Sequence, residues 1–171
     1  EFFATPWYGL FFKHQTKKYE VSHLEGTLNF IPYGCLVDHF QQVVYEHPEM
    51  TPQERNEAWL KLEKMYRPYL HLEGIPFYER GAGWQRQNHI FATPFYYIDY
   101  CLAQTVALQF WLELEKDWKK AWEKYKHFVK RGGTDTFLGL VEGAGLTSPM
   151  EDGCIRQIAE YASAWLKEKE A

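Results

Sequence analysis

Apolar side chains recur at steps of three and four residues along nearly all of this chain. Nowhere does the strict alternation of a half-buried strand run between turn signals. Steps of three and four stack side chains on one face of a helix, so the fold class is all-α. The stops and starts are also written in helical terms. Glu1 to Phe12 reads as a short helix that Pro6 can bend, and Tyr19 to Glu46 as a long helical stretch interrupted at Pro32-Tyr33-Gly34, where proline removes a backbone donor and crowds the preceding turn. Thr51, Pro52 and Glu54 form a capping box with proline at the first helical position. That helix should end near Tyr66, because Pro68 disfavours helix in the residue before it.

Tyr69 to Gly83 is a loop, Trp84 to Phe91 a short helix, and Thr93-Pro94 opens a helix running to about Glu115. Lys116 to Lys130 follows and stops at Gly132-Gly133. A short helix from Thr136 to Val141 and an amphipathic one from Cys154 to Lys169 complete the chain. With no internal repeat and no low-complexity linker, residues 1–171 read as one domain.

Net charge is −4, and the one basic cluster, Lys116 to Arg131, is broken by Asp117, Glu123 and aromatics, which argues against nucleic acid as a partner. The most apolar stretch, Pro94 to Leu112, contains Asp99, Gln104 and Gln109, so a buried helix is expected there and no membrane span. Cys35, Cys101 and Cys154 are odd in number and far apart in sequence. They read as reduced, buried and inert thiols, which suits a cytoplasmic protein. Aromatic residues make up 18% of the chain, more than a core built on Leu, Ile and Val requires. Tyr and Trp carry polar tips suited to a wet cleft, so the excess points to a peptide or ligand groove.

The segment richest in chemistry is Trp84-Gln85-Arg86-Gln87-Asn88-His89 followed by Phe95-Tyr96-Tyr97-Ile98-Asp99-Tyr100. On one helix, Tyr97, Tyr100, Gln104 and Trp111 would share a stripe, and a turn at Ala92 to Pro94 could bring His89 back over its start. A phenol with a pKa near ~10 is a donor at neutral pH. Aimed at a developing oxyanion, one such donor is worth ~3 kcal/mol, and an imidazole can hydrogen-bond a carbonyl or shuttle a proton. The bland alternative is a set of satisfied core residues. Arg80 and Arg86 flank the Gly81-Ala82-Gly83 loop and could meet a peptide carboxylate or sit in surface ion pairs. The two glycines suggest a flexible loop over a cleft. His39 and His47 are too far apart along one helix for a two-ligand clamp.

The run His89-Ile90-Phe91, Pro94-Phe95-Tyr96-Tyr97-Ile98-Asp99-Tyr100-Cys101-Leu102-Ala103-Gln104 resembles the C-terminal signature of oligoendopeptidase F, one of the zinc oligopeptidases that include thimet oligopeptidase. Glu1-Phe2-Phe3 with Pro6-Trp7, Ser22-His23-Leu24-Glu25, Phe30-Ile31-Pro32-Tyr33-Gly34, Thr51-Pro52-Gln53-Glu54-Arg55 and Trp84-Gln85-Arg86-Gln87 resemble it in the same order. The resemblance implies the C-terminal helical part of a catalytic domain, forming one wall of a channel in which short peptides are cleaved. It implies His89, Tyr97 and Tyr100 as binding and transition-state-stabilising residues, with Tyr96 able to replace Tyr97, and Gly81 and Gly83 near the substrate, which makes the flanking Arg86 a substrate-binding candidate. Zinc in that family is held by the two His of an HExxH helix and a Glu further on.

No HExxH occurs here, and no two of the seven histidines are four apart. The expectation is therefore a fragment with no catalytic zinc ligands of its own, inactive alone. It would partner with the missing N-terminal part of the same protein and could self-associate through the exposed wall. Two alternatives from other classes are a non-catalytic helical scaffold derived from such a peptidase, and a bundle that uses His and Tyr to bind haem or metal.

Overall fold

A computed structural model describes residues 1–170, and among them every regular element is helical. A 3₁₀ turn at Phe2–Trp7 leads into α1 (Tyr8–Phe12), a second 3₁₀ turn at Lys13–Gln15, and the long α2 (Thr16–Glu46). Helix α3 spans Pro52–Tyr66. A third 3₁₀ turn at Ala82–Arg86 precedes α4 (Asn88–Ala92), followed by α5 (Ile98–Lys116), α6 (Trp118–Lys130), α7 (Phe137–Gly143) and α8 (Cys154–Glu170). No helix among the described residues is long and apolar enough to cross a membrane.

The cap of α3 is where the sequence places it. The Thr51 side chain accepts from the Glu54 amide at 3.3 Å, and the Glu54 carboxylate accepts from the Thr51 amide at 2.7 Å, so two orphan donors of α3 are met reciprocally. Asp117 caps α6 through the Lys120 amide, and Thr136 caps α7 through the Gly139 amide.

The stretches expected as single helices at Glu1 to Phe12 and Trp84 to Phe91 are each split into a 3₁₀ turn and a short helix, and two further boundaries differ from expectation. Helix α2 passes through Pro32 without a break. The lost donor and the ring's crowding cost about 3 kcal/mol in an isolated helix, but Leu36, Val37 and Phe40 one and two turns on are fully buried, and that packing offsets the defect. Helix α5 starts at Ile98 rather than at Thr93-Pro94. Phe95 sits at φ +62°, a left-handed conformation that stops a right-handed helix, and its amide is taken by the Gln41 side chain at 2.8 Å.

The chain divides into two compact units, Asn29–Cys101 and Glu1–Leu28 together with the residues from Leu102 onward. The core of the first joins Leu36, Val37 and Phe40 of α2 to Trp59 and Leu62 of α3, with Trp84 and Tyr97. Phe40 meets Trp59 edge-on at 5.1 Å and Trp84 at 5.4 Å. In the second unit Phe3 is ringed by Phe110, Trp118, Trp122 and Tyr125, with centroids 4.9–6.2 Å away, so the aromatic face of α6 is a packing face. There Gln109 exchanges two 2.8 Å hydrogen bonds with the Thr147 backbone, which satisfies a buried amide.

Gly81 and Gly83 are both buried, and this corrects the reading of a flexible loop. Gly81 has φ +77°, and a Cβ there would overlap the Asn56 carbonyl and the Leu60 side chain of α3. At Gly83 a Cβ would stand 3.0 Å from the Trp59 indole nitrogen. The glycines let the loop lie directly on α3. Gly81→Ala is therefore expected to destabilise the fold by more than about 1 kcal/mol, read as a fall in thermal midpoint. An unchanged midpoint would contradict this close approach.

Candidate functional site

Trp84 fixes the segment that carries the site. Its ring is 8% exposed and its indole N–H donates to Asn56 Oδ1 at 2.9 Å. The 3₁₀ turn it anchors ends at Gln87, the residue before α4. The Gln87 side chain then spans two partners. Its oxygen accepts from the Tyr33 hydroxyl at 2.7 Å, and its nitrogen lies 2.7 Å from His89 Nδ1. With the amide nitrogen toward the ring, Nδ1 accepts, and the neutral imidazole carries its proton on Nε2.

Three phenols surround the imidazole. Its ring centroid lies 4.9 Å from Tyr97, 5.7 Å from Tyr100 and 6.3 Å from Tyr96. Tyr97 meets it at 64° and Tyr100 at 88°, both edge-to-face. The structure therefore brings His89, Tyr96, Tyr97 and Tyr100 together, although the geometry is not the single helical stripe expected. Tyr97 precedes the first turn of α5 and is 9% exposed among Phe30, Tyr33 and Trp59. Tyr100 lies on α5 and is 39% exposed, and Tyr96 is 45% exposed.

Burial is the first cause of the Tyr97 shift. With Tyr33, Cys101 and Tyr100 adding to it, the phenol is pushed up to about 12. A hydrogen bond with the Tyr96 hydroxyl raises Tyr100, and burial raises Tyr33 against the opposing pull of Arg67 and Arg86. All three hydroxyls keep their protons at neutral pH, so the cluster is a set of neutral donors.

Tyr33 and Gln87 were not identified as site residues from sequence. They are 54 positions apart, and no local pattern joins them. Arg86 is exposed and its guanidinium reaches the Tyr78 hydroxyl, whereas Arg80 lies over the Phe77 ring. His39 is held by the Tyr66 hydroxyl at 3.0 Å, a structural contact. Cys101 and Cys154 are buried, as expected, and Cys35 is half-buried. The Cys101 sulfur lies 3.6 Å from the Ile31 carbonyl of α2 and next to Cys35, whose thiol pKa that neighbour lowers, so these two are not isolated groups. Gly34 makes room, since a Cβ there would overlap the Cys101 sulfur.

Among the described residues no group of three or more His, Cys, Asp and Glu side chains could hold a metal ion. The residues present do not fit a catalytic zinc, and no step is derived through one.

The chain matches segments of solved peptidases, and that defines its class. The particular relatives are PZ peptidase A, solved with an inhibitor, and oligoendopeptidase F. PZ peptidase A is 46% identical over 98% of this chain, with a TM-score of 0.92. A chain assigned as an oligoendopeptidase F is 43% identical over 99%, with a TM-score of 0.93. One so assigned from Bacillus anthracis strain Ames is 41% identical over 99%, with a TM-score of 0.80. This chain spans 30%, 31% and 28% of their respective lengths. Comparison with family models and with curated proteins gives no match. Over the residues it has, the chain is the counterpart of one helical segment of these oligoendopeptidase F-type peptidases, as the sequence motifs led us to expect.

The raised Tyr97 pKa has a sign that can be tested. Between pH 10 and 12 the unfolded chain releases this proton while the folded chain keeps it, so the contribution is fully present below pH 10 and is lost as pH rises through 12. The alkaline fall in thermal midpoint is expected to be shallower in Tyr97→Phe than in the parent. Parallel curves would show that Tyr97 titrates as an ordinary phenol.

Proposed function

We propose that this chain is the C-terminal helical part of a zinc metallopeptidase that hydrolyses internal bonds of short peptides, and that it supplies the side chains that bind the substrate carbonyl and stabilise the tetrahedral intermediate. The observation that carries the reading is the convergence of His89, Tyr97 and Tyr100, held by Gln87 from below. Tetrahedral intermediates place negative charge on the former carbonyl oxygen. Neutral donors held in place by their neighbours stabilise that charge without reorganising at the moment of reaction.

Within the cluster, Tyr100 and His89 are the donors assigned to the oxyanion. Tyr100 is more exposed than Tyr97, and the Gln87 contact leaves the His89 proton on Nε2. Tyr97, nearly buried, backs the imidazole, and Tyr96 at the rim hydrogen-bonds Tyr100. The chemistry that zinc supplies in such peptidases is activation of the attacking water. The residues holding it would come from outside this chain, from the N-terminal part of the same protein, and on this reading the chain alone is inactive.

The test is made on the full-length protein that carries this chain, with an internally quenched peptide and zinc content measured on every variant. Tyr100→Phe is expected to lower kcat by roughly 10²-fold with little change in KM, the signature of an interaction made in the transition state. His89→Ala should lower kcat/KM by at least as much, with zinc content unaltered. Full activity in both variants would remove the cluster from the mechanism.

A further inference from the structure

The Tyr33 hydroxyl and Gln87 amide that hold His89 also line a cavity of about 350 Å³. That volume is at the small end of ligand pockets, room for the end of a peptide and not for a folded partner. Gly83 keeps one wall open, since any side chain there would press on Trp59. Two guanidinium groups, from Arg67 and Arg86, border the space.

Their charges are not equally spent. Glu63, whose side chain is 6% exposed, accepts from the Trp59 indole at 3.1 Å and pairs with Arg67. That pair is neutral overall. Arg67 also lies over the Tyr33 ring at 4.8 Å, and its Nε is buried without an acceptor. Arg86 has no carboxylate within ion-pair distance among the described residues. It reaches only the Tyr78 hydroxyl and lies over that ring at 5.6 Å. The cavity therefore carries one uncompensated positive charge and the polar groups of Tyr33, Tyr78 and Gln87. Both guanidinium groups pull on the Tyr33 phenol against the effect of its burial, which places their fields on the same hydroxyl. A planar carboxylate answers such a set, because a guanidinium fork meets its two oxygens together.

We infer that this cavity is a carboxylate subsite in which Arg86 binds a carboxylate of the peptide substrate, next to the Gln87 side chain that orients His89. The inference rests on the peptidase reading for the identity of the ligand. It is a statement about which peptides are held. The carboxylate has two sources, the free C-terminus of a short peptide or an acidic side chain within it.

Binding is measured by calorimetry on the full-length protein with four probes: N-acetylated trialanine as free acid and as C-terminal amide, and two N-acetylated tripeptide amides with aspartate or asparagine in the middle. A charge-assisted contact of this kind is expected to favour the carboxylate member of a pair by about tenfold or more. Arg86→Met should bring the pair to within about twofold, and Arg86→Lys should restore part of the preference. Preference for the free acid assigns the C-terminus, and preference for aspartate over asparagine assigns the side chain.

Arg86 is exposed, so its loss should leave the thermal midpoint unchanged, which is checked in parallel. A wild-type protein that prefers neither carboxylate, or a preference that survives in Arg86→Met, overturns the subsite. Hydrolysis is scored separately. His89→Ala losing turnover while keeping the preference separates binding from chemistry. A protein that cleaves no peptide yet loses its preference with Arg86 would keep the subsite and discard the peptidase reading.

Discussion

The position of everything chemical in the Asn29–Cys101 unit depends on Trp84. Its ring is wedged against Phe40 of α2, and its N–H is tied to Asn56 of α3, so both of its faces of freedom, rotation and withdrawal, are closed. A buried aromatic of this size contributes several kcal/mol of apolar burial, and its indole proton must find a partner or cost much of that gain. Both conditions are met at once only when the 82–86 turn lies flat on α3, which is why Gly81 and Gly83 have no room for a side chain. Three residues beyond the ring is Gln87, and two beyond that is His89. The imidazole inherits its place from a tryptophan five residues earlier in the chain.

That arrangement explains the chemistry the cluster can and cannot do. Gln87 is neutral, its partner Tyr33 is neutral, and Tyr97 and Tyr100 hold their protons well above neutral pH. A carboxylate behind His89 would favour an imidazolium. An amide instead fixes which nitrogen carries the proton and leaves the charge of the ring unassisted. The set is suited to donating hydrogen bonds in fixed directions, and the aromatic excess of the chain finds part of its explanation here. The rest is ordinary packing, as around Phe3, where the tryptophans of α6 serve the core.

Local signals were legible wherever the physics is local. The cap at Thr51 and the stop after Lys130 depend on residues within one turn, and both are in place. The grouping of His89 with Tyr96, Tyr97 and Tyr100 was legible because a short turn suffices to bring them together. The break expected at Pro32 was not found, because what carries α2 across it is burial of Leu36, Val37 and Phe40 against residues far along the chain. The late start of α5 was invisible for a similar reason. Phe95 is held at positive φ by Gln41, a partner 54 positions away. Tyr33 reaches Gln87 across the same separation, and Cys35 meets Cys101 across a longer one. Each miss is a long-range contact overruling a local preference.

The late start of α5 also changes how the two central phenols differ. On one continuous helix, Tyr97 and Tyr100 would be equivalent donors a turn apart. With the helix beginning at Ile98, Tyr97 instead drops into the core beside Tyr33, and only Tyr100 stays at the surface of the cluster. Burial makes the Tyr97 proton harder to remove. Two tyrosines of the same type, three residues apart, are thereby given unequal work. On the proposed peptidase reading, Tyr100 is the phenol that meets substrate and Tyr97 the one that backs the imidazole. The left-handed residue at Phe95 is the cause, since a right-handed turn there would have carried Tyr97 onto the helix and out of the core.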